Sequence, residues 1–481
     1  MMAIAALLPR WIAACIAALA LGGCAAPLHN TPSNVAWTPG TPHDMGAPTD
    51  LIREHSIVLS FSGGGLRAAS LAHGVMTALE DEKTPDGDLL DDVRLVSSVS
   101  GGSLTAAYYG LHGRAGLRRF REEVLVPGLE GGLRLTLNPA NFVRLARGAL
   151  NVRADFGDAL DGRVFHGATF ADLYRNSPAE IRIHATELYH RTPFAFLPAA
   201  FRVLCSDLSR YAVADAVAAS MAVPMVFSPI VLRTFPESCP PLPEEVALVR
   251  AAAQRSYSLR ALSRLIDSYR EPRVRYLKLA DGGLTDNFAV STLALSRLVY
   301  GTPYAPMTPR DAVRVRRLLV VLVDASRGLG GDWLDSEDGP GGIDLAMAAM
   351  DSAVDTAANF AADAFDGMIG EWQRSVVAFR CGLAADEAAR LGAPPGWNCR
   401  DVRFTVARVA IADLPPELRA RIDRIPTRLA LPEAQIDAAI EGGRAGTAGL
   451  AALKDYLAER RASAPTASPE RPTPSTTQGP S

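Results

Sequence analysis

The sequence has no surplus of basic residues, no spanning hydrophobic run near its start and no cysteine pair with metal-ligand spacing. Its 49 Lys and Arg residues face 52 Asp and Glu residues, for a formal net charge of -3. That balance cannot neutralise a nucleic-acid backbone, so nucleic acid is not an expected partner. The absence of CxxC and of a His/Cys cluster argues against a structural zinc site, and no metal is expected.

What is present is enough apolar material for a sizeable core, since 48% of the 481 residues are hydrophobic. Short aliphatic runs alternate with helical stretches, a pattern typical of an α/β fold with a mainly parallel central sheet. The predicted strands cover 56–61, 93–99, 181–188, 276–280, 317–324 and 402–411. The predicted helices cover 66–80, 103–111 and 343–372, and a helical insertion over 240–273 could cover a site.

The N-terminus predicts export. A positive charge at Arg10 precedes an apolar run over 11–21, which is shorter than the roughly 20 residues of a spanning helix, and small residues then lead to Cys24. We expect a signal peptide over 1–23. The stretch LGGC resembles a bacterial lipobox, which implies a lipid on Cys24 and, with uncharged residues following, a place in the outer membrane.

Two flanking segments are rich in residues that do not form a core. The segment 24–50 is rich in Pro, Thr and Gly and is predicted to be a flexible tether from the lipidated cysteine. The tail over 462–481 is Pro, Ser and Thr and is predicted to be disordered. Between them we expect a catalytic domain over 51–330 and, packed on that same domain, C-terminal helices and a late strand over 331–461.

The cysteine count indicates an oxidising compartment. Apart from Cys15 in the signal peptide and Cys24, an even number remains in what we interpret as an exported chain, which suggests two disulfides. Three pairings are possible, of which the local one joins neighbours in sequence, and four free thiols are the alternative. The four cysteines are Cys205, Cys239, Cys381 and Cys399.

A nucleophile is predicted at Ser100. The stretch VSSVSGGSL places this serine between a strand and a helix, flanked by small residues that allow a sharp turn. The pattern is G-x-S-x-G with Ser98 in place of the first glycine. A helix-capping Ser/Gly turn is the alternative.

A second glycine-rich turn follows the first predicted strand. Its consecutive amides over 62–65 can converge on an anion, either as a phosphate cradle or as an oxyanion hole. Neither G-x-G-x-x-G nor a following Gly-Lys-Ser/Thr is present, so the oxyanion hole is preferred.

No histidine is an obvious base for Ser100, although histidine is the usual base of a nucleophilic serine. No histidine follows His190, and none of those between Ser100 and His190 lies in a glycine-rich turn that would present a catalytic side chain. Asp281 instead ends a predicted strand and precedes two glycines, at the sheet edge where open α/β sheets bind ligands. We therefore expect Asp281 to be the base, with partial desolvation raising its basicity.

Taken in order, four blocks resemble the patatin-like phospholipase family: GGGLR over 63–67, SVSGG over 98–102, ASMAVP over 219–224 and DGG over 281–283. The resemblance covers about 56–324 and implies the family's three-layer fold. It implies a catalytic dyad of Ser100 and Asp281. It also implies an oxyanion hole from the amides of three glycines, with Arg67 bracing that loop or meeting an anionic head group. The three glycines are Gly63, Gly64 and Gly65.

The activity implied is hydrolysis of lipid acyl esters, as in a phospholipase A, lysophospholipase or esterase, through an acyl-enzyme and without any cofactor. The expected partners are a phospholipid or other acyl-ester substrate and the membrane that holds the lipid anchor. Two alternatives stay open. An acyltransferase would use the same dyad, and a non-catalytic lipid-binding envelope lipoprotein is suggested by the extra side chain at Ser98 together with the export signal.

Overall fold

The computed structural model describes residues 30–41, 45, 52–136, 138–327 and 337–462. The predicted signal peptide 1–23, the lipidation site Cys24 and the tail after Ala462 lie outside the described residues. Within the described ranges, no helix combines the length and the apolar content needed to cross a bilayer.

The strands agree closely with the alternating pattern of the sequence. They are β1 His55–Phe61, β2 Lys83–Thr84, β3 Gly87–Asp88, β4 Val93–Val99, β5 Ala149–Asn151, β6 Glu180–Glu187, β7 Thr192–Ala195, β8 Met225–Phe227, β9 Ile230–Arg233, β10 Tyr276–Asp281, β11 Arg317–Asp324 and β12 Arg403–Ala410. Each of the six predicted strands is present within one residue of its expected ends.

The helices are more numerous than the sequence pattern indicated. They are α1 Gly65–Asp81, α2 Gly101–Phe120, α3 Pro139–Ala146, α4 Arg153–Leu160, α5 Phe170–Asn176, α6 Pro198–Val203, α7 Val213–Ser220, α8 Glu244–Ala252, α9 Tyr257–Tyr269, α10 Gly283–Asp286, α11 Ser291–Tyr300, α12 Pro309–Arg314, α13 Gly342–Gly382, α14 Ala385–Arg390, α15 Pro416–Asp423, α16 Glu433–Gly449 and α17 Ala451–Ala462. Helix α2 is interrupted at Gly113, which has φ 57° and ψ -149°.

The main sheet has eight strands in the order β12-β11-β1-β4-β6-β10-β9, with β7 paired to β6. The run from β12 to β6 is parallel, whereas β10 and β7 lie antiparallel to β6. The predicted α/β fold with a mainly parallel sheet between helices is therefore confirmed.

Both faces of the sheet are buried, as the continuous aliphatic runs of its parallel strands predict. Alternate residues of β11 face opposite sides, so Leu319, Val321 and Val323 join one core cluster and Leu318, Val320 and Leu322 the other. Helices α1, α2 and α16 cover the first face, and α13 covers the second.

The region 337–462 is part of the same body. Strand β12 extends the parallel sheet beside β11 over its full length. Helix α16 packs closely on α1, where a Cβ on Gly443 would lie 2.1 Å from the Leu71 carbonyl oxygen. A larger residue at this contact would force the helices apart.

The segment 30–41, predicted to belong to a flexible tether, lies on the body of the domain instead. The Asn30 side chain donates to the Pro229 carbonyl at 2.8 Å, and Asn34 exchanges two hydrogen bonds of 2.8 Å with the Arg233 backbone. Ala36 forms a bridge with Ser206. The sequence did not predict this contact because it depends on asparagine amides and backbone groups, and not on a periodic pattern of apolar residues.

Strand β10 reaches the expected place from an unexpected direction. Asp281 was predicted to end a strand at the carboxyl edge of a parallel sheet, but β10 is antiparallel to β6, with Asp281 opposite Ala185. In the parallel pair β4–β6, Val99 is opposite His184, so Ser100 follows at the level of Ala185. Ser100 and Asp281 are therefore neighbours, because β4 and β10 run in opposite directions but both end at the level of Ala185.

Two disulfides are present and follow the local pairing. Cys205 bonds Cys239, and Cys381 bonds Cys399.

Candidate active site

The turn that carries Ser100 tolerates only small neighbours. Ser100 follows β4 with φ 49° and ψ -127°, a conformation that is strained for a residue with a side chain. A Cβ on Gly101 would lie 2.0 Å from the Gly65 carbonyl oxygen, and one on Gly102 would lie 2.6 Å from the Phe61 Cβ. The two glycines therefore let the turn close against β1 and the loop that follows it.

Ser100 and Asp281 are in direct contact. The Ser100 Oγ donates to the Asp281 Oδ2 at 2.8 Å, and the Gly283 amide donates to the Asp281 Oδ1 at 2.8 Å. Ser100 is 6% exposed and Asp281 is 8% exposed. One carboxylate oxygen is thus held by the backbone while the other meets the serine.

The environment of Asp281 makes its carboxylate a better base than one in water. Burial raises the pKa of Asp281 from 3.8 to about 6, while the hydrogen bonds from Ser100 and Gly283 act in the opposite direction. With this pKa, the Asp281 carboxyl is protonated well below pH 6 and mostly ionised at pH 7. A carboxylate with this pKa suits proton transfer near neutrality.

The glycine loop passes beside the serine. A Cβ on Gly63 would lie 3.2 Å from the Ser100 Cβ, and Gly64 and Gly65 have φ 136° and 60°. The Gly63 amide donates to the Asn287 Oδ1 at 3.1 Å, so one of the three predicted oxyanion donors is already engaged. Among the described residues, the amides of Gly64 and Gly65 have no hydrogen-bond partner.

Arg67 joins this loop to the C-terminal region. Its guanidinium donates to the Ala325 carbonyl at 3.0 Å, the Ile425 carbonyl at 2.6 Å and the Thr427 Oγ1 at 3.2 Å. Arg67 is 3% exposed, and burial lowers its pKa to about 9. Of the two roles considered for Arg67, this geometry fits the bracing of the loop.

Ser220 bridges the two halves of the site, and sequence reasoning did not single it out. Its Oγ accepts from the Ser100 amide at 2.8 Å and donates to the His184 carbonyl at 2.6 Å. Its own carbonyl accepts from the Gly282 amide at 3.1 Å, and the Ala222 carbonyl accepts from the Asp281 amide at 2.9 Å. The ASMAVP block was the available signal, because these two residues belong to it.

The side chain at Ser98 is accommodated rather than crowded. Its Oγ donates to the Arg182 carbonyl at 3.0 Å and accepts from the Ser103 Oγ at 3.1 Å. Ser103 also lies 2.9 Å from the Ser220 Oγ. The polar side chain that suggested a non-catalytic protein is thus satisfied within a serine network beneath the turn.

The histidines occupy other environments. His184 is buried beneath the site, with its Nδ1 3.3 Å from the Ser98 carbonyl oxygen and its Nε2 3.2 Å from the Thr292 Oγ1. Burial lowers its pKa to about 4, so it is neutral at pH 7. His190 lies between Glu187 and Ser268.

Two further features lie away from the dyad. A cavity of about 480 Å³ opens at the opposite edge of the sheet, lined by residues that include His55, Asp92 and Arg460. In the described part of the chain, no group of three or more His, Cys, Asp and Glu residues is placed to hold a metal ion.

A serine on a strained strand–helix turn, in contact with a buried carboxylate, is an arrangement of the serine-hydrolase type. Residues 59–294 match the sequence model of the patatin-like phospholipases. The chain therefore contains a patatin-like phospholipase domain over 59–294.

Two solved structures are similar to this chain at low identity. Human GIVD cytosolic phospholipase A2 shares 13% identity with a TM-score of 0.39, over 86% of this chain and 63% of that one. VipD from Legionella pneumophila shares 12% identity with a TM-score of 0.32, over 92% of this chain and 73% of that one. The chain thus spans about 63% of the length of the human structure. None of the curated proteins compared matches this chain.

Proposed function

We propose that this protein hydrolyses acyl esters of lipids with Ser100 as nucleophile and Asp281 as its base. The observation that carries the proposal is the 2.8 Å hydrogen bond from the Ser100 Oγ to the Asp281 Oδ2. The patatin-like phospholipase domain supports a lipid ester as the substrate class.

The reaction runs in two acyl transfers. Asp281 takes the Ser100 proton as the oxygen attacks the ester carbonyl, and the tetrahedral intermediate collapses when the leaving alcohol receives that proton. Water then attacks the acyl-enzyme, gives a proton to Asp281 and releases the fatty acid, after which the proton returns to Ser100.

The oxyanion of each intermediate needs donors that are fixed in advance. The amides of Gly64 and Gly65 supply them, while the Gly63 amide becomes available only when it leaves Asn287. Loss of one such donor typically costs about 2.7 to 4 kcal/mol of transition-state stabilisation.

The test compares soluble short-chain ester hydrolysis by the wild type, Ser100→Ala, Asp281→Asn and the double variant. Each change should lower kcat/KM by about a thousandfold or more, and the double variant should lose little beyond Ser100→Ala, because the two residues act as one unit. Ser352→Ala is the control, since that exposed serine only donates to the Ala348 carbonyl of its own helix. Full activity in Ser100→Ala would reject the proposal.

The protein acts at the cell envelope, held there by a lipid on Cys24 and directed to the outer membrane. The sequence over 1–24 supports this part of the proposal. Incorporation of labelled fatty acid into the wild type but not into Cys24→Ser tests it, and equal incorporation into both would reject it.

A further inference from the structure

We propose that a set of exposed basic and aromatic residues above the active-site edge binds the surface of an anionic phospholipid bilayer. This set, the cationic rim, consists of Tyr189, Arg191, Arg275, Tyr276 and Lys278. A role of the cationic rim in lipid hydrolysis rests on the proposed function, whereas binding of the rim to a bilayer can be measured without catalysis.

The register of the strands places the rim on the side of Ser100. Strand β6 continues two residues beyond Ala185, the level of Ser100, before it enters the turn 188–191. Strand β10 starts above that level, and its Lys278 carbonyl accepts from the Leu188 amide at 3.0 Å. At about 3.3 Å per residue, Lys278 lies about 10 Å and Tyr276 about 17 Å along the strand from Asp281.

The exposed side chains of the rim suit a membrane interface. Tyr189 is 78% exposed and Tyr276 is 48% exposed. The Lys278 Nζ lies 5.2 Å from the centre of the Tyr276 ring, and Arg191 and Arg275 are also exposed. Tyrosine rings with flanking cations favour the headgroup region of a bilayer, where one part of each side chain is apolar and the other polar.

The charge of the rim selects an anionic surface. Among the described residues, no acidic side chain forms an ion pair with Arg191, Arg275 or Lys278, whereas the neighbouring Arg233 and Arg273 pair with Glu237 and Glu271. The whole chain carries a net charge of -3, so three uncompensated positive charges in one place run against its average. Such a patch is attracted to anionic lipid headgroups.

The turn that presents Tyr189 is held in advance. The carboxylate of Glu187, which is 1% exposed, accepts from the Tyr189 amide at 3.1 Å, the His190 amide at 2.6 Å and the His190 Nδ1 at 2.8 Å. The His190 Nε2 lies 2.8 Å from the Ser268 Oγ, within hydrogen-bond distance. A rim that is already ordered loses little conformational freedom on binding.

Arg191 occupies a position in this turn whose backbone conformation favours glycine. Its φ of 56° lies in the left-handed region, where a residue with a side chain is less favourable than glycine. The strained position therefore holds a cation where the turn alone would favour glycine. Contact with an anionic bilayer accounts for a positive charge at this position.

The experiment measures sedimentation of the full chain with vesicles of phosphatidylcholine alone or mixed with phosphatidylglycerol. The rim variant is Arg191→Gln, Arg275→Gln and Lys278→Gln combined. The control removes the same charge from exposed sites at the opposite edge of the sheet, as Arg310→Gln, Arg400→Gln and Lys454→Gln combined. Cys24→Ser is present throughout, so that no acyl anchor contributes.

The rim variant should bind the mixed vesicles at least about tenfold more weakly, with little change on phosphatidylcholine alone. Each cation near an anionic surface contributes on the order of fivefold, so the loss of three could reach about a hundredfold. The control variant should bind as the parent does. Equal binding by the rim variant and the parent, or an equal loss in the control, would overturn the proposal.

Hydrolysis of a soluble ester separates this proposal from the proposed function. The rim variant should keep that activity while it loses activity on mixed vesicles. A parent protein inactive on soluble esters but still bound through the rim would reject the catalytic proposal and support the membrane contact.

Discussion

The burial of Asp281 costs folding stability and gives its carboxylate the basicity that the proposed function requires. Its burial disfavours the carboxylate, which raises its pKa to about 6, and two donors retain the charge where Ser100 can use it. The residues around it were only partly predictable. Ser100 and Asp281 lie in glycine-flanked motifs. The ASMAVP block marked the segment of Ser220 but not its hydrogen bond to the Ser100 amide, and no local pattern pointed to Asn287.

The pH dependence of the reaction should report Asp281. Because the base must be ionised, kcat/KM for a soluble ester should rise as pH increases through about 6 and should level off above pH 7. Initial rates between pH 4 and pH 8 check this. A profile that stays flat across pH 6 would contradict the assignment of Asp281 as base.

The buried charge should also be visible in stability. Since the folded pKa of Asp281 lies above its ordinary 3.8, ionisation opposes folding as pH rises from 3.8 through 6. Asp281→Asn should therefore be more stable than the wild type by about 1 to 3 kcal/mol at pH 8 and about equally stable at pH 4. Urea unfolding at the two pH values measures this, with the exposed Asp363→Asn as control. A loss of stability at pH 8 would contradict it.

At the scale of elements, the site depends on loops that are braced from outside the matched family segment. The Arg428 carbonyl accepts from the Leu66 amide at 2.9 Å, and a Cβ on Gly65 would lie 2.5 Å from that same carbonyl oxygen. The strands were predictable from aliphatic runs, but the direction of β10 was not, because a strand's own residues do not encode its direction and the helical insertion before it does not show which way the chain returns to the sheet.

Arg67 should be the strongest single brace of the glycine loop. Arg67→Met removes three hydrogen bonds and leaves buried acceptors unsatisfied, so it should lower the free energy of unfolding by about 2 to 4 kcal/mol. Arg390→Met is the matched control, because that arginine forms an exposed pair with Asp386 and should change stability by about 0.5 kcal/mol or less. Urea unfolding compares the two, and equal effects would contradict the brace.

At the scale of the whole molecule, the patatin-like domain and the C-terminal region share one sheet and both core clusters on its two faces. Strand β12 pairs with β11, and α16 covers α1. The sequence predicted this shared packing only in outline, since a late strand cannot be assigned a neighbour from its own residues. Asn30 and Asn34 were missed for a similar reason, because their partners lie about 200 residues away.

Truncation should reveal this dependence. A chain ending at residue 330 would expose the edge of β11 and the faces of α1, and it should aggregate or fail to give a cooperative unfolding transition. A chain ending at Ala462 should unfold as the full chain does. Circular dichroism and urea unfolding of both chains check the expectation. A cooperative fold for the shorter chain would contradict it.

The most direct measurement of the central claim is covalent labelling by a fluorophosphonate probe, followed by peptide mass spectrometry. The account predicts one phosphonylated serine, Ser100, with labelling absent in Ser100→Ala and strongly slowed in Asp281→Asn. An unlabelled wild type, or a label that persists in Ser100→Ala, would contradict it.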